Sequence, residues 1–165
     1  MTMRYELAGK ENLEALLTGG GLAAGVMGVG LALAKRALGA VALPLAVGSG
    51  LVWLGRNLGE SFVEVGEETM RVKMGALFDE TIPLNDVARV KETEWSILGG
   101  LGVRTNLQNW VAVVSKTGPV ADIYFWRPIR LPVIRHLYYV NAQRLIVSPE
   151  SLDTFITDLQ GRLRS

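Results

Sequence analysis

Few side chains in this sequence are of the types that do acid–base, nucleophilic or metal chemistry together. His136 is the only histidine, and cysteine is absent. A His-based triad, a multi-histidine metal site, a thiolate nucleophile and a disulfide are therefore excluded within one chain. Beside Arg135 and Tyr138, His136 reads as a structural or exposed group. Carboxylates are numerous, but Glu67-Glu68 and Asp79-Glu80 fall at strand ends or turns, where solvated charge is ordinary. Gly19, Gly20, Gly21, Gly25, Gly28 and Gly30 look like a phosphate loop only at first sight, because no strand precedes them and no Gly-Lys-Ser/Thr follows. These residues call for no catalytic group, no metal and no cofactor.

Two stretches have the character of contact surfaces instead. Residues 127–135 alternate Arg127, Arg130 and Arg135 with Ile129, Leu131, Val133 and Ile134. Pro128 and Pro132 forbid a regular helix or a central strand there, which predicts a loop. Arginine interleaved with aliphatic residues suits anionic headgroups and the apolar edge of a bilayer. The alternative is that the aliphatic residues plug the core while the arginines are solvated. Residues 95–102 form a second apolar, glycine-rich loop, in which Trp95, Ile97 and Leu98 are candidates to dip into lipid or to meet another subunit. Burial under a C-terminal helix is the alternative reading of that loop.

The elements that must position these stretches follow from the charge pattern. Between residues 16 and 55 the only charges are Lys35 and Arg36. The segments 16–34 and 37–55 each hold nineteen uncharged residues, about 28 Å of helix and close to the thickness of a bilayer core. Two such spans joined by one charged pair predict a transmembrane helical hairpin over residues 16–56, after a polar N-terminal segment, 1–15. Gly21, Gly25 and Gly28 make a small-residue stripe for close helix packing. Pro44 is expected to kink the second span, and Trp53 to sit at the interface. Positive charge on the outer flanks leans towards cytoplasmic termini.

From residue 61 the period changes to two. Candidate strands run over 62–65, 69–74, 76–83, 87–95, 110–115, 120–126, 137–140 and 144–147. Ser148, Pro149 and Glu150 have the chemistry of a helix start, and Leu152, Phe155, Ile156, Leu159 and Leu163 recur at helical spacing. Residues 56–165 carry thirteen basic and thirteen acidic side chains, so this part is neutral. Nucleic acid, which selects for clustered positive charge, is not the expected partner.

Four segments carry a family resemblance: Met70-Arg71-Val72-Lys73-Met74-Gly75, Ile82-Pro83-Leu84-Asn85-Asp86-Val87, Gly99-Gly100-Leu101-Gly102-Val103-Arg104, and Ile146-Val147-Ser148-Pro149-Glu150 ahead of Phe155. Residues 61–165 thereby resemble a bacterial pleckstrin-homology-like domain, of the kind often attached to a pair of membrane helices. The resemblance implies a mostly antiparallel β barrel capped by a C-terminal helix, acting in interaction or assembly rather than catalysis.

The expectation is thus an α+β membrane protein of the inner membrane: two spans, with the β domain in the cytoplasm. It would present that domain at the membrane surface for lipid or protein binding. Its partners would be the bilayer, anionic headgroups, another membrane protein, or a second copy in a homo-oligomer. An accessory subunit packing its hairpin into a larger complex, or a membrane enzyme of unrecognised type, are the alternatives.

Overall fold

The computed structural model describes residues 2–34, 41–134 and 137–164. The chain divides into two compact units, Met1–Lys10 with Glu60–Ser165 and, separately, Glu11–Gly59.

The smaller unit is a pair of helices, α1 (Lys10–Ala34) and α2 (Ala42–Leu58). Among the described residues α1 is the one helix long and apolar enough to cross a bilayer, with a mean hydropathy of 1.8 over its most apolar window. Of the two expected spans, one candidate is found. α2 has only 17 residues, about 26 Å of helix, and carries Arg56 in its last turn. Its late start has a local cause. Pro44 lacks an N–H and is accommodated in a first helical turn, so the helix begins at Ala42, and Leu45 N–H reaches the Val41 carbonyl at 3.3 Å. The expected kink at Pro44 is therefore replaced by a helix start. Lys35 and Arg36 lie outside the described residues.

Glycine sets the approach of α1 to α2. A Cβ on Gly21 would lie 2.8 Å from the Gly48 carbonyl oxygen, and one on Gly48 would lie 2.7 Å from that of Gly21. A side chain at Gly28 would collide with the Pro44 ring, and one at Gly55 would meet Thr18 Oγ1 at 2.6 Å. The pairs 18/55, 21/48 and 28/44 run in opposite directions, so the helices are antiparallel. Gly25 is looser, with Gly48 Cα 3.9 Å from its Cβ position. Leu22, Val26, Met27, Leu31, Leu43 and Trp53 are all exposed.

The larger unit holds two sheets. In the first, β1 (Met3–Glu6), β2 (Ser61–Val65), β3 (Thr69–Met74) and β4 (Phe78–Pro83) lie in chain order and pair antiparallel. β1 arises in the polar N-terminal segment, 1–15, where the sequence pattern placed no strand; Tyr5 is its buried residue, and Leu7 and Ala8 just after it are buried too. The second sheet has the order β5-β8-β9-β7-β6, from β5 (Val87–Trp95), β6 (Gly102–Thr105), β7 (Trp110–Val114), β8 (Gly118–Ile134) and β9 (Tyr138–Val147). Only β7 and β9 pair parallel there. The expected closed barrel does not form. The chain passes from β4 to β5 through a 3-10 turn, Leu84–Asp86, and each sheet keeps its own pair of edges.

The last helix, α3 (Leu152–Arg162), buries Phe155 and Leu159. Phe155 meets the edge of the Tyr5 ring at 5.3 Å, and Gln160 donates to the Val90 carbonyl at 3.2 Å. Ser148 does not cap this helix. Its Oγ accepts from Ser115 N–H at 2.9 Å in the interior, and Pro149 bridges to Leu7. Ala8 N–H to Ser148 O and Glu150 N–H to Glu6 O, both 2.8 Å, hold this stretch alongside the end of β1.

Candidate functional site

Of the stretch 127–135, residues 127–134 are the end of β8, not a loop. β8 has β5 on one side only as far as Phe125; beyond it the pairing is with β9 alone. Pro128 falls in the irregularity between Tyr124 and Ile129, and Pro132, opposite Tyr139, lies on the free edge. Proline is tolerated at both kinds of place, because no ladder bond asks for its missing donor. Two of its three arginines are already engaged. Arg127 is paired with Asp86 at 3.0 Å, and the Arg130 guanidinium lies over the Tyr139 ring at 4.4 Å. Leu131 is buried, as a core plug would be, and Arg135 and His136 lie outside the described residues.

The stretch 95–102 divides in two. Trp95 is core: its ring meets Trp110 edge-on at 5.7 Å, beside Ala112, Val114, Val120 and Ile146. Its indole N–H donates to the Gly100 carbonyl at 2.9 Å. The following turn lies flat on the indole, so that a Cβ at Gly99 would sit 2.6 Å from the ring. Ser96 Oγ accepts from Leu98 N–H at 3.2 Å and fixes the turn. Ile97 and Leu98 project from it, 79% and 94% exposed. The result is a held apolar knuckle rather than a floppy loop.

The register of the second sheet brings together a group of residues that the sequence reading did not single out. Arg89, Tyr124, Arg144 and Trp110 lie in one row across β5, β8, β9 and β7. Lys91, Asp122, Ile146, Ala112 and Arg104 form the next row, two residues along the strands. Because strand residues alternate in direction, both rows are on one face, with Trp95 and the knuckle at its end. Glu92 and Glu94 point to the opposite face. One face of β5 is therefore basic and the other acidic.

Three cations gather on Tyr124. Arg89 Cζ lies 4.4 Å from its ring centroid, Arg144 Cζ 5.0 Å and Lys91 Nζ 5.2 Å. The single carboxylate of the face, Asp122, is fully buried and bound by Arg144 through Nε at 3.1 Å and Nη2 at 2.7 Å. That hydrogen bonding raises the Arg144 pKa above its ordinary value. Arg104 extends the face towards the knuckle, its Nε 2.9 Å from where a Gly100 Cβ would be. Four cations against one carboxylate, itself already satisfied, can hold anions, and the face brings no acid–base pair to a reacting atom. The alternation Arg89-Val90-Lys91-Glu92 in an expected strand already separates charge by face; what the sequence does not carry is the sheet order that sets Tyr124, Arg144 and Arg104 beside it. No family model, curated protein or solved structure matches this chain.

Proposed function

We propose that this protein is a membrane-anchored, non-catalytic interaction module that presents its strand-rich unit at the membrane surface for lipid or protein binding. The apolar residues of α1 support the anchor. Only 11% of its most apolar window is buried inside the protein, whereas the core helix of a water-soluble domain would bury that stripe. Leu22, Val26, Met27 and Leu31 then face acyl chains instead of water.

The observation that carries the reading furthest is the pairing of β1 with β2. Glu6 is opposite Phe62, and Leu7 N–H reaches the Ser61 carbonyl at 3.2 Å. Strands in one sheet lie on one side of a membrane. If α1 crosses, the chain has to return before Ser61, and α2 is the segment that brings it back. This parity supports two crossings, with 17 residues sufficing for α2 where Arg56 extends towards the headgroups. In this reading the strand-rich unit is cytoplasmic, in the inner membrane. The resemblance to pleckstrin-homology-like domains is retained for the antiparallel sheets ended by α3, without a closed barrel.

Extraction tests the anchor. The full chain is expected to stay with membranes through high-salt and alkaline washes and to leave in detergent; recovery in the aqueous wash ends the reading. A cysteine placed at Ser165 is expected to resist an impermeant thiol reagent in intact cells and to react after lysis. Labelling of intact cells reverses the orientation.

A second reading, an accessory subunit of a larger membrane assembly, is favoured by a groove of about 710 Å³ along the two helices, lined by Gly25, Val29, Gly30, Leu33, Leu45 and Ser49 among others. The mass of the complex in mild detergent separates the two readings, since a lone module runs as a single chain.

A further inference from the structure

The cations of the basic face fall into two groups. Arg89, Lys91 and Arg144 converge on the Tyr124 ring, their charged ends 4.4–5.2 Å from its centroid. Arg104 rises from the opposite edge strand, where at about 4.8 Å per strand its backbone is roughly 19 Å from that of Lys91. Between the two groups the sheet is covered by Trp95 and Trp110, packed over Ala112, Val120 and Ile146. A single phosphate on the Tyr124 group leaves Arg104 unused, whereas an extended anionic surface meets both groups. The apolar knuckle of Ile97 and Leu98 stands at the end of the same face, next to Arg104. A rigid apolar tip beside a spread of cations is the chemistry of a bilayer boundary, where headgroups are anionic and the layer below them is hydrocarbon.

We propose that the outer face of the five-stranded sheet rests on an anionic lipid surface, with Arg89, Lys91 and Arg104 on headgroup phosphates and Ile97–Leu98 in the acyl boundary. The proposal rests on the membrane-anchored reading above and names the surface that reading leaves open. Arg144 has a different role. Bound to buried Asp122, it holds the Tyr124 ring in place, and the ring in turn spaces Arg89 and Lys91. Among the described residues Arg89, Lys91 and Arg104 make no ion pair, and Arg89 and Lys91 stand exposed beside the ring.

The test uses the full chain with Leu98→Cys carrying an environment-sensitive dye, reconstituted in nanodiscs so that both membrane faces are accessible. No native cysteine competes for the label. In discs containing phosphatidylglycerol the emission is expected to shift to the blue, and in phosphatidylcholine discs to stay at its aqueous position. Each of Arg89→Gln, Lys91→Gln and Arg104→Gln is expected to lower the ratio of docked to undocked protein about fivefold, and the triple variant about a hundredfold. Added salt should act in the same direction, and the triple variant should melt as the parent does.

An unshifted dye in phosphatidylglycerol discs overturns the proposal, as does a triple variant that shifts like the parent. A shift produced by polyglutamate in phosphatidylcholine discs, with no response to anionic lipid, overturns it in favour of an acidic protein segment. Retention of the chain in phosphatidylcholine discs through a high-salt wash reports the anchor separately. Retention without a shift removes the face and keeps the anchor, and a shift without retention does the reverse.

Discussion

Arg144 and Asp122 form a two-point pair at 3.1 and 2.7 Å in which the carboxylate has no exposure to solvent while the guanidinium keeps a third of its surface. The asymmetry decides which partner can be lost. Removing the guanidinium strands a buried charge, whereas removing the carboxylate leaves a cation that can turn outward. Arg144→Met is expected to cost about 3 kcal/mol, and Asp122→Asn clearly less, on the order of 1 kcal/mol. Thermal melting of the detergent-solubilised chain checks the order. Equal losses would mean that the pair is energetically symmetric despite its burial.

Tyr5 links β1 to the last helix, donating to Asp158 Oδ2 at 3.2 Å. Burial first, and then Asp158, push its hydroxyl above the ordinary value of 10.0. The folded chain therefore holds this proton more tightly than the unfolded chain. Its contribution is complete below about pH 10 and falls as pH rises through the raised value. Tyr5→Phe keeps the ring edge on Phe155 and loses the hydrogen bond, at about 1 kcal/mol near neutral pH. The stability gap between parent and variant is expected to narrow in melts above pH 10. A constant gap would show that the hydroxyl does not titrate with folding.

The α1–α2 contact predicts sharply different tolerance among glycines. A methyl group at Gly48 would meet the Gly21 carbonyl and the Gly25 backbone, while Gly19, Gly20 and Gly50 face open space. Gly48→Ala is expected to cost about 1–3 kcal/mol through overpacking and separation of the helices. Gly20→Ala should be neutral or slightly stabilising, since alanine favours helix. Loss of helical circular dichroism on heating in detergent compares them. Equal melting of the two variants would remove the close approach.

Trp95 and Gly100 together hold the knuckle. Gly100 has φ +72, which side-chain-bearing residues adopt at a cost, and Arg104 lies against it. Gly100→Ala is expected to cost about 1–2 kcal/mol. Trp95→Phe, which loses the indole donor but keeps an aromatic ring, should cost about 1 kcal/mol. Hydrogen exchange of the Leu98 amide, bound to Ser96 Oγ, is expected to quicken in both variants. Unchanged exchange would show that the turn holds itself without the indole.

How much was legible in the sequence depended on whether a pattern was local. The alternation of Thr69–Met74 and Val87–Trp95 and the helical spacing of Phe155 and Leu159 are short-range signals, and those elements formed where expected. Uncharged length located α1 but overran α2, since length alone does not register that Pro44 belongs in a first turn. Pro128 and Pro132 read as a loop because the tolerance of an edge depends on where β5 stops, which is a fact about partners. β1 was invisible for the same reason: Met3–Glu6 is too short to declare itself, and its partner stands more than fifty residues away. The basic face shares that cause, being composed of one or two residues from each of five strands.

The distance between β1 and its partner bears on the order of assembly. A chain emerging from synthesis exposes Met3–Glu6 long before Phe62 exists to receive it, and both helices come between. As a free loop, those fifty-odd residues would make closure about 2 kcal/mol harder than a tight hairpin does, at roughly 0.6 kcal/mol per doubling of length. Antiparallel contact removes much of that entropy, since it brings Glu14 beside Gly59. Pairing of β1 with β2 is then easier once the helices have met, so formation of the helical pair and completion of the first sheet reinforce one another.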